Sequence, residues 1–175
     1  MIIWPDLRPI LKDVPWAIVG GVATRAYMPE RVTKDLDILV HEKDGDYVIK
    51  QLQNAGYRYI SQLALPGCLM LAPDGTELDV IFGKYPWLNE ALANRGQDPA
   101  GYPVIKLPYL IIMKLEAQRI RDVGDLGSML GWASDTDLDD VRAVVAKYAP
   151  DDSEDLEALI FIGKRERELP DDKTG

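Results

Sequence analysis

Trp16-Ala-Ile-Val-Gly20-Gly21-Val-Ala-Thr-Arg25, followed by Arg31-Val-Thr33-Lys-Asp35-Leu-Asp37-Ile-Leu-Val40, is the stretch on which the reading of the fold turns. Residues 15 to 19 form a short apolar run of buried-strand type, and Gly20-Gly21 ends it directly before a helix-compatible segment, Val22 to Met28. A glycine turn lets the backbone approach an anion, and the open N–H groups at the start of a helix favour negative charge there. A triphosphate suits such a corner.

Downstream, Leu36, Ile38 and Val40 alternate with Asp35, Asp37 and Leu39, the pattern of a strand with one dry face. Aspartates at i and i+2 project from the same side of a sheet, roughly 7 Å apart by the rise of a strand. Two such carboxylates suit Mg²⁺, a hard cation that takes oxygen ligands and keeps coordination positions for substrate phosphates. Arg31 and Thr33 continue the same parity and place a cation and a hydroxyl beside the acids, where the alternatives are a loop ion pair and a strand-start hydroxyl.

A third acid follows in Thr76-Glu77-Leu78-Asp79-Val80-Ile81-Phe82, where Leu78, Val80 and Phe82 share one face and Asp79 takes the other. In-line displacement at phosphorus with two metals about 3.5–4 Å apart uses bridging carboxylates and an acid that activates the incoming hydroxyl. Asp35, Asp37 and Asp79 supply that set if their strands are neighbours in a mixed sheet. Taken singly, the glycine pair reads as an ordinary turn and each acid as a solvated strand face.

In combination, the glycine pair, thirteen intervening residues, Asp-x-Asp and a later strand aspartate resemble the DNA polymerase beta-like nucleotidyltransferase superfamily. Gly-Gly followed by Arg-x-Thr-x-Asp-Leu-Asp-Ile is similar to its AbiEii-like branch, which includes toxins of toxin–antitoxin pairs. The segment Lys114-Leu-Glu-Ala-Gln-Arg119-Ile-Arg121-Asp122-Val-Gly-Asp125-Leu resembles that branch's downstream helix. The resemblance implies transfer of NMP from NTP to an acceptor hydroxyl with loss of pyrophosphate. It implies that Gly20 and Gly21 cradle the triphosphate, with Arg31, Thr33 and Lys114 as further nucleotide contacts. Asp35, Asp37 and Asp79 would hold Mg²⁺ (or Mn²⁺), Asp79 also being the general base. Its implied acceptor is tRNA, with protein or a small molecule such as an antibiotic as alternatives, and its implied partner is a cognate antitoxin. A module that binds nucleotide or protein without turnover is the non-enzymatic alternative. A helix-end ion pair or capping set accounts for Arg121, Asp122 and Asp125 as readily as a site role does.

The chain has 175 residues, 47% of them hydrophobic, enough for a substantial core. Its formal charge of −9 argues against a broad nucleic-acid-binding surface, which draws on clustered Lys and Arg. The single cysteine, Cys68, makes no intrachain disulfide, no leader-like N-terminus is seen, and no run approaches the roughly 18 apolar residues of a membrane span. The expectation is a cytoplasmic enzyme without membrane attachment. His41 lacks a second histidine or cysteine at ligand spacing and reads as structural. Cys68, Tyr57, Tyr59 and Trp87 read as packing residues.

The expected architecture is α/β (α+β): a mixed sheet flanked by helices, with a helical C-terminal extension. Residues 1–107 form the nucleotidyltransferase core, 108–168 the extension packed on it, and 169–175 a flexible tail. Helices are expected over Pro5 to Asp13, Lys43 to Ala55, Pro86 to Ala93, from Pro108, and over Asp125 to Trp132, Leu138 to Tyr148 and Ser153 to Arg165. Strands are expected over Tyr57 to Leu63, Gly67 to Leu71 and Thr76 to Phe82, and a loop over Asn94 to Tyr102. The run Asp135 to Asp140 reads as helix-start charge.

Overall fold

The computed structural model describes residues 4–29, 33, 35–117 and 120–168, the side chains of Ile120 and Arg121 apart. The chain divides into two compact units, the first comprising Met1–Arg25 and Arg31–Lys106, the second Ala26–Glu30 and Leu107–Gly175.

The first unit is built on a mixed sheet of seven strands: β1 (Trp16–Val19), β2 (Asp35–His41), β3 (Arg58–Gln62), β4 (Gly67–Leu71), β5 (Glu77–Gly83), β6 (Gly96–Gln97) and β7 (Pro103–Val104). Their order is β3-β4-β5-β2-β1-β7-β6. β2 runs parallel to β5 and β1 parallel to β7, while the other neighbours are antiparallel. The two central strands carry the apolar weight: all of β1 is buried, as are Leu36, Ile38, Leu39 and Val40 of β2. Burying each such aliphatic side chain contributes roughly 1.5–3 kcal/mol, which makes the β1–β2–β5 centre the fixed part of the unit.

Helices α1 (Gly20–Thr24), α2 (Gly45–Asn54) and α3 (Leu88–Ala93) belong to this unit. On α2, Val48 and Leu52 lie four residues apart and are both buried, the spacing that puts them on one face. The turn Ala72-Pro73-Asp74-Gly75 joins β4 to β5, with Asp74 Oδ1 accepting from Thr76 N at 2.9 Å. Every residue of β3, at the sheet edge, is exposed. Tyr59 is therefore a surface residue, against the expected packing role, whereas Cys68, Tyr57 and Trp87 are buried as expected. Burial and the nearby Asp79 push the Cys68 thiol up to about 11, so it stays protonated at neutral pH.

Three local expectations need correction. Residues Pro5 to Asp13 form turns rather than a helix: Pro9 has no N–H to donate, and Asp6 Oδ1 takes the backbone N–H of Arg8 at 3.0 Å. The first helix spans the glycines themselves and stops at Thr24, well short of Met28, a residue that precedes Pro29 and is disfavoured from helical geometry. The stretch Asn94 to Tyr102 contains β6, which joins the sheet because β7 lies beside β1, Ile105 N donating to Ile18 O at 3.0 Å.

The second unit is helical: α4 (Leu107–Ala117), α5 (Ile120–Trp132), α6 (Asp135–Tyr148) and α7 (Ser153–Glu168). The acidic run at Asp135 does open a helix. Ser134 Oγ accepts from Asp137 N at 3.1 Å, while the Asp137 carboxylate accepts from Ser134 N at 3.2 Å, a reciprocal cap. Helices α5 and α7 pack backbone to backbone. A Cβ on Gly163 would run into Gly127 O and come within 2.9 Å of Gly131 N. Arg142 Nε of α6 donates to Glu157 Oε1 of α7 at 2.6 Å. Among the described residues no helix is long and apolar enough to cross a membrane.

Candidate active site

The parallel pairing of β2 with β5 makes the conditional adjacency of the acids real. Asp37 is the direct partner of Asp79, and Asp35 of Glu77. Partners in register point to the same face, on strands about 4.8 Å apart. Leu36, Ile38, Leu78 and Val80 occupy the opposite face and are fully buried. Four carboxylates thus share one face near the start of two neighbouring strands. Glu77 is the member that sequence reasoning missed. Its signal was available, since Glu77-x-Asp79 repeats the acid-x-acid spacing of Asp35-x-Asp37.

On the other side of β2, Val19 of β1 is the partner of Asp37, so the chain enters Gly20 at the level of that carboxylate. Gly20 adopts φ 61°, a conformation glycine tolerates without strain. A Cβ here would lie 2.5 Å from Asp37 Cγ and 2.9 Å from its Cβ. The missing side chain therefore makes room for the Asp37 carboxylate at the first residue of α1. Gly21 is buried in the first turn, where its carbonyl accepts from Thr24 Oγ1 at 2.7 Å. Val19, at the N-cap, gives α1 no side-chain cap, leaving its first N–H groups without that partner.

The electrostatics follow from the crowding. Asp79 is held above the ordinary carboxylate range, first by burial and then by the negative charges of Asp35 and Glu77. Thr33 Oγ1 is buried with no hydrogen-bond partner among the described residues. Arg31 and Arg119 lie outside the described residues, and Arg121 is described in backbone only.

Lys114 belongs to the second unit, on α4, and is buried. Its Nζ donates to Asp122 Oδ1 at 2.6 Å and to Asp125 Oδ2 at 2.9 Å, both aspartates being buried on α5. Lys114, Asp122 and Asp125 thus form a buried ion-paired cluster between α4 and α5.

Among the described residues, no group of three or more His, Cys, Asp or Glu side chains is arranged to hold a metal ion. The in-register pair Asp37 and Asp79 nevertheless has the donor chemistry of Mg²⁺, which is commonly held by one or two carboxylates together with substrate phosphates rather than by a protein cage. The charges of Asp35 and Glu77, which add to burial in raising Asp79, are of the kind a cation offsets.

No protein-family model and no curated protein sequence matches the chain. Among solved structures, the crystal structure of ANT(2″)-Ia in complex with adenylyl-2″-tobramycin aligns with a TM-score of 0.49 and 20% identity, over 90% of this chain and 91% of that one. A Thermotoga maritima protein proposed to be a nucleotidyltransferase aligns with a TM-score of 0.47 and 15% identity, over 69% and 87% of the two chains. The lincomycin-bound lincosamide antibiotic adenylyltransferase LnuA aligns with a TM-score of 0.43 and 14% identity, over 79% and 90%. At this level of likeness the chemistry of the chain has to be read from its own residues.

Proposed function

We propose that this chain is a Mg²⁺-dependent nucleotidyltransferase of the polymerase beta-like superfamily, moving NMP from an NTP to an acceptor hydroxyl. The observation that carries the reading is the pairing of Asp37 with Asp79 in one register, beside a glycine whose missing side chain makes room for Asp37. Asp35, Asp37 and Asp79 are the residues that would hold the metal, and Glu77 adds to the negative charge around them. Bound there, Mg²⁺ would supply positive charge to offset both the carboxylates and the phosphates of the nucleotide.

The remaining roles belong to the chain. The backbone of Gly20 and Gly21, at the uncapped start of α1, would accept the phosphates, with Thr33 Oγ1 as a further donor to phosphate oxygen. The acceptor oxygen attacks the α-phosphorus as the bond to the β-phosphate oxygen breaks, and pyrophosphate leaves. Asp79 takes the hydroxyl proton, a task suited to a carboxylate whose proton affinity is raised by its surroundings. Arg31 remains a nucleotide contact on the strength of the motif alone. Lys114 would serve nucleotide only by giving up part of its hold on Asp122 and Asp125.

A tRNA hydroxyl as acceptor, and restraint by a cognate antitoxin, follow from the AbiEii-like motif. Transfer to a small-molecule hydroxyl is the second reading, favoured by the net charge of −9, which opposes broad contact with a polyanion. The test is incubation of the protein and its Asp37→Ala variant with Mg²⁺, each α-labelled NTP and a cell extract, followed by separation of RNA, protein and small molecules. Label that depends on Asp37 identifies both the reaction and the acceptor class. Nucleotide binding without any Asp37-dependent label would replace the enzyme with a binding module.

A further inference from the structure

A cleft of about 240 Å³ opens in the first unit around Arg8, Lys12 and Arg95, with Val14 and Pro103 as its partly exposed apolar walls. It sits at the Trp16 end of β1. The carboxylate face lies at the Val19 end, one strand length away, since Val19 is the residue paired with Asp37.

Three cations around one cleft are unexpected in a chain of charge −9. The carboxylates nearby act on Arg8 and leave Lys12 and Arg95 without an ion pair among the described residues. Asp6 grips only Arg8, accepting from Nε at 2.8 Å and from Nη2 at 2.9 Å. Asp98 accepts from the backbone N–H groups of Ala100 and Tyr102, at 2.9 and 2.8 Å, and its charge also acts on Arg8. Lys12 has no ion-pair or hydrogen-bond partner among the described residues, and Arg95 uses a single N–H, donating Nη1 to Trp16 O at 2.8 Å.

The cations are also held in place to different degrees. Arg8 is fixed by Asp6 and by the Tyr102 ring, 4.6 Å from its guanidinium carbon. Arg95 is anchored through Trp16 O and keeps the rest of its planar fork open, the geometry that suits paired anionic oxygens. Lys12 is an exposed, compact charge on a flexible stem. A carboxylate brings one negative charge to this pair, whereas a phosphate monoester brings nearly two and three acceptor oxygens.

We propose that this cleft binds a small phosphate monoester, its phosphoryl group between Lys12 and Arg95 and its organic body against Val14 and Pro103. The site is separate from the proposed nucleotidyl-transfer centre and does not depend on that assignment.

The test is calorimetric titration of the full chain with phenyl phosphate, inorganic phosphate and a short single-stranded oligonucleotide, in the absence of Mg²⁺ and NTP. Lys12→Glu and Arg95→Gln should each weaken phenyl phosphate binding by about tenfold or more, as expected for losing a charge-assisted contact. Lys50→Glu is the control, an exposed lysine on α2 that changes net charge as Lys12→Glu does while lying outside the cleft; it should bind as the unmodified chain. Inorganic phosphate should bind more weakly than phenyl phosphate if the apolar walls contribute. Equal losses in Lys50→Glu and Lys12→Glu, absence of binding to either phosphate probe, or Lys12-dependent binding of the oligonucleotide alone would each overturn the proposal.

Discussion

Two groups of acids in this protein are treated in opposite ways. Between α4 and α5, Asp122 and Asp125 are buried and share the ammonium of Lys114. On β2 and β5, Asp35, Asp37, Glu77 and Asp79 are brought side by side, and burial, followed by the charges of Asp35 and Glu77, raises Asp79. The first arrangement encloses its charge with a cation from the same unit. The second aligns four carboxylates on one face of a sheet through the pairing of two strands. The difference separates acids that share one buried cation from acids that strand pairing sets side by side on a sheet.

The sharpest way to break this contrast is Asp37→Ala. Losing one charged contact of the reacting centre should reduce nucleotidyl transfer by roughly 10²–10³-fold, measured as label transferred per unit time, with the far-ultraviolet circular dichroism unchanged. An undiminished rate would remove the carboxylate face from the chemistry.

Lys114→Met attacks the other cluster. It leaves two buried carboxylates without their shared cation and should destabilise the protein by about 3–5 kcal/mol, read from urea unfolding. Replacing Asp122 and Asp125 by Leu in the same background should recover much of that loss. If Lys114→Met instead abolished nucleotide binding at full stability, the two clusters would belong to one function and the contrast would fail.

A smaller effect is expected at Gly20. An alanine there meets a backbone cost of about 1–2 kcal/mol at φ 61° and a Cβ pressed against the Asp37 carboxylate. Nucleotide binding should fall along with thermal stability. A Gly20→Ala variant that kept both would show that Asp37 has another place to go.

The smallest effect concerns pH. Asp79 is raised in the folded state, so the native protein holds its proton more firmly than the unfolded chain does, and stability declines as pH rises from the ordinary carboxylate value through the raised one. Asp79→Asn should therefore unfold at slightly higher temperature than the unmodified chain near neutral pH, an advantage that disappears in acid below the ordinary carboxylate range. Added Mg²⁺ should narrow the gap at neutral pH by stabilising the charged form. A gap that persists unchanged in acid would assign it to packing rather than to charge.

Much of the carboxylate face was legible in the sequence because strand parity is local. Asp35 and Asp37 share a face by spacing alone, and the apolar alternation around Asp79 gives the same information for β5. The error at Pro5 to Asp13 shows where local reading breaks down. Its apolar pattern resembles a helix, but a proline without a donor and an aspartate competing for a backbone N–H produce turns. Tyr59 shows another limit, since an aromatic residue in a strand packs only if the strand has covered faces, and β3 lies exposed at the edge.

By itself, then, the sequence determined which residues could act together within one strand or one helix. It set the parity of the acids, the glycine pair at the end of β1 and the helix-start charge from Asp135, because each depends on neighbours a few residues away. The tertiary structure alone decided that Asp37 faces Asp79 and that Glu77 joins them. It decided too that Lys114 closes on Asp122 and Asp125, and that Gly20 makes room for Asp37. Those are facts of register and close approach between segments distant in the chain, which pairing and packing fix and periodicity does not.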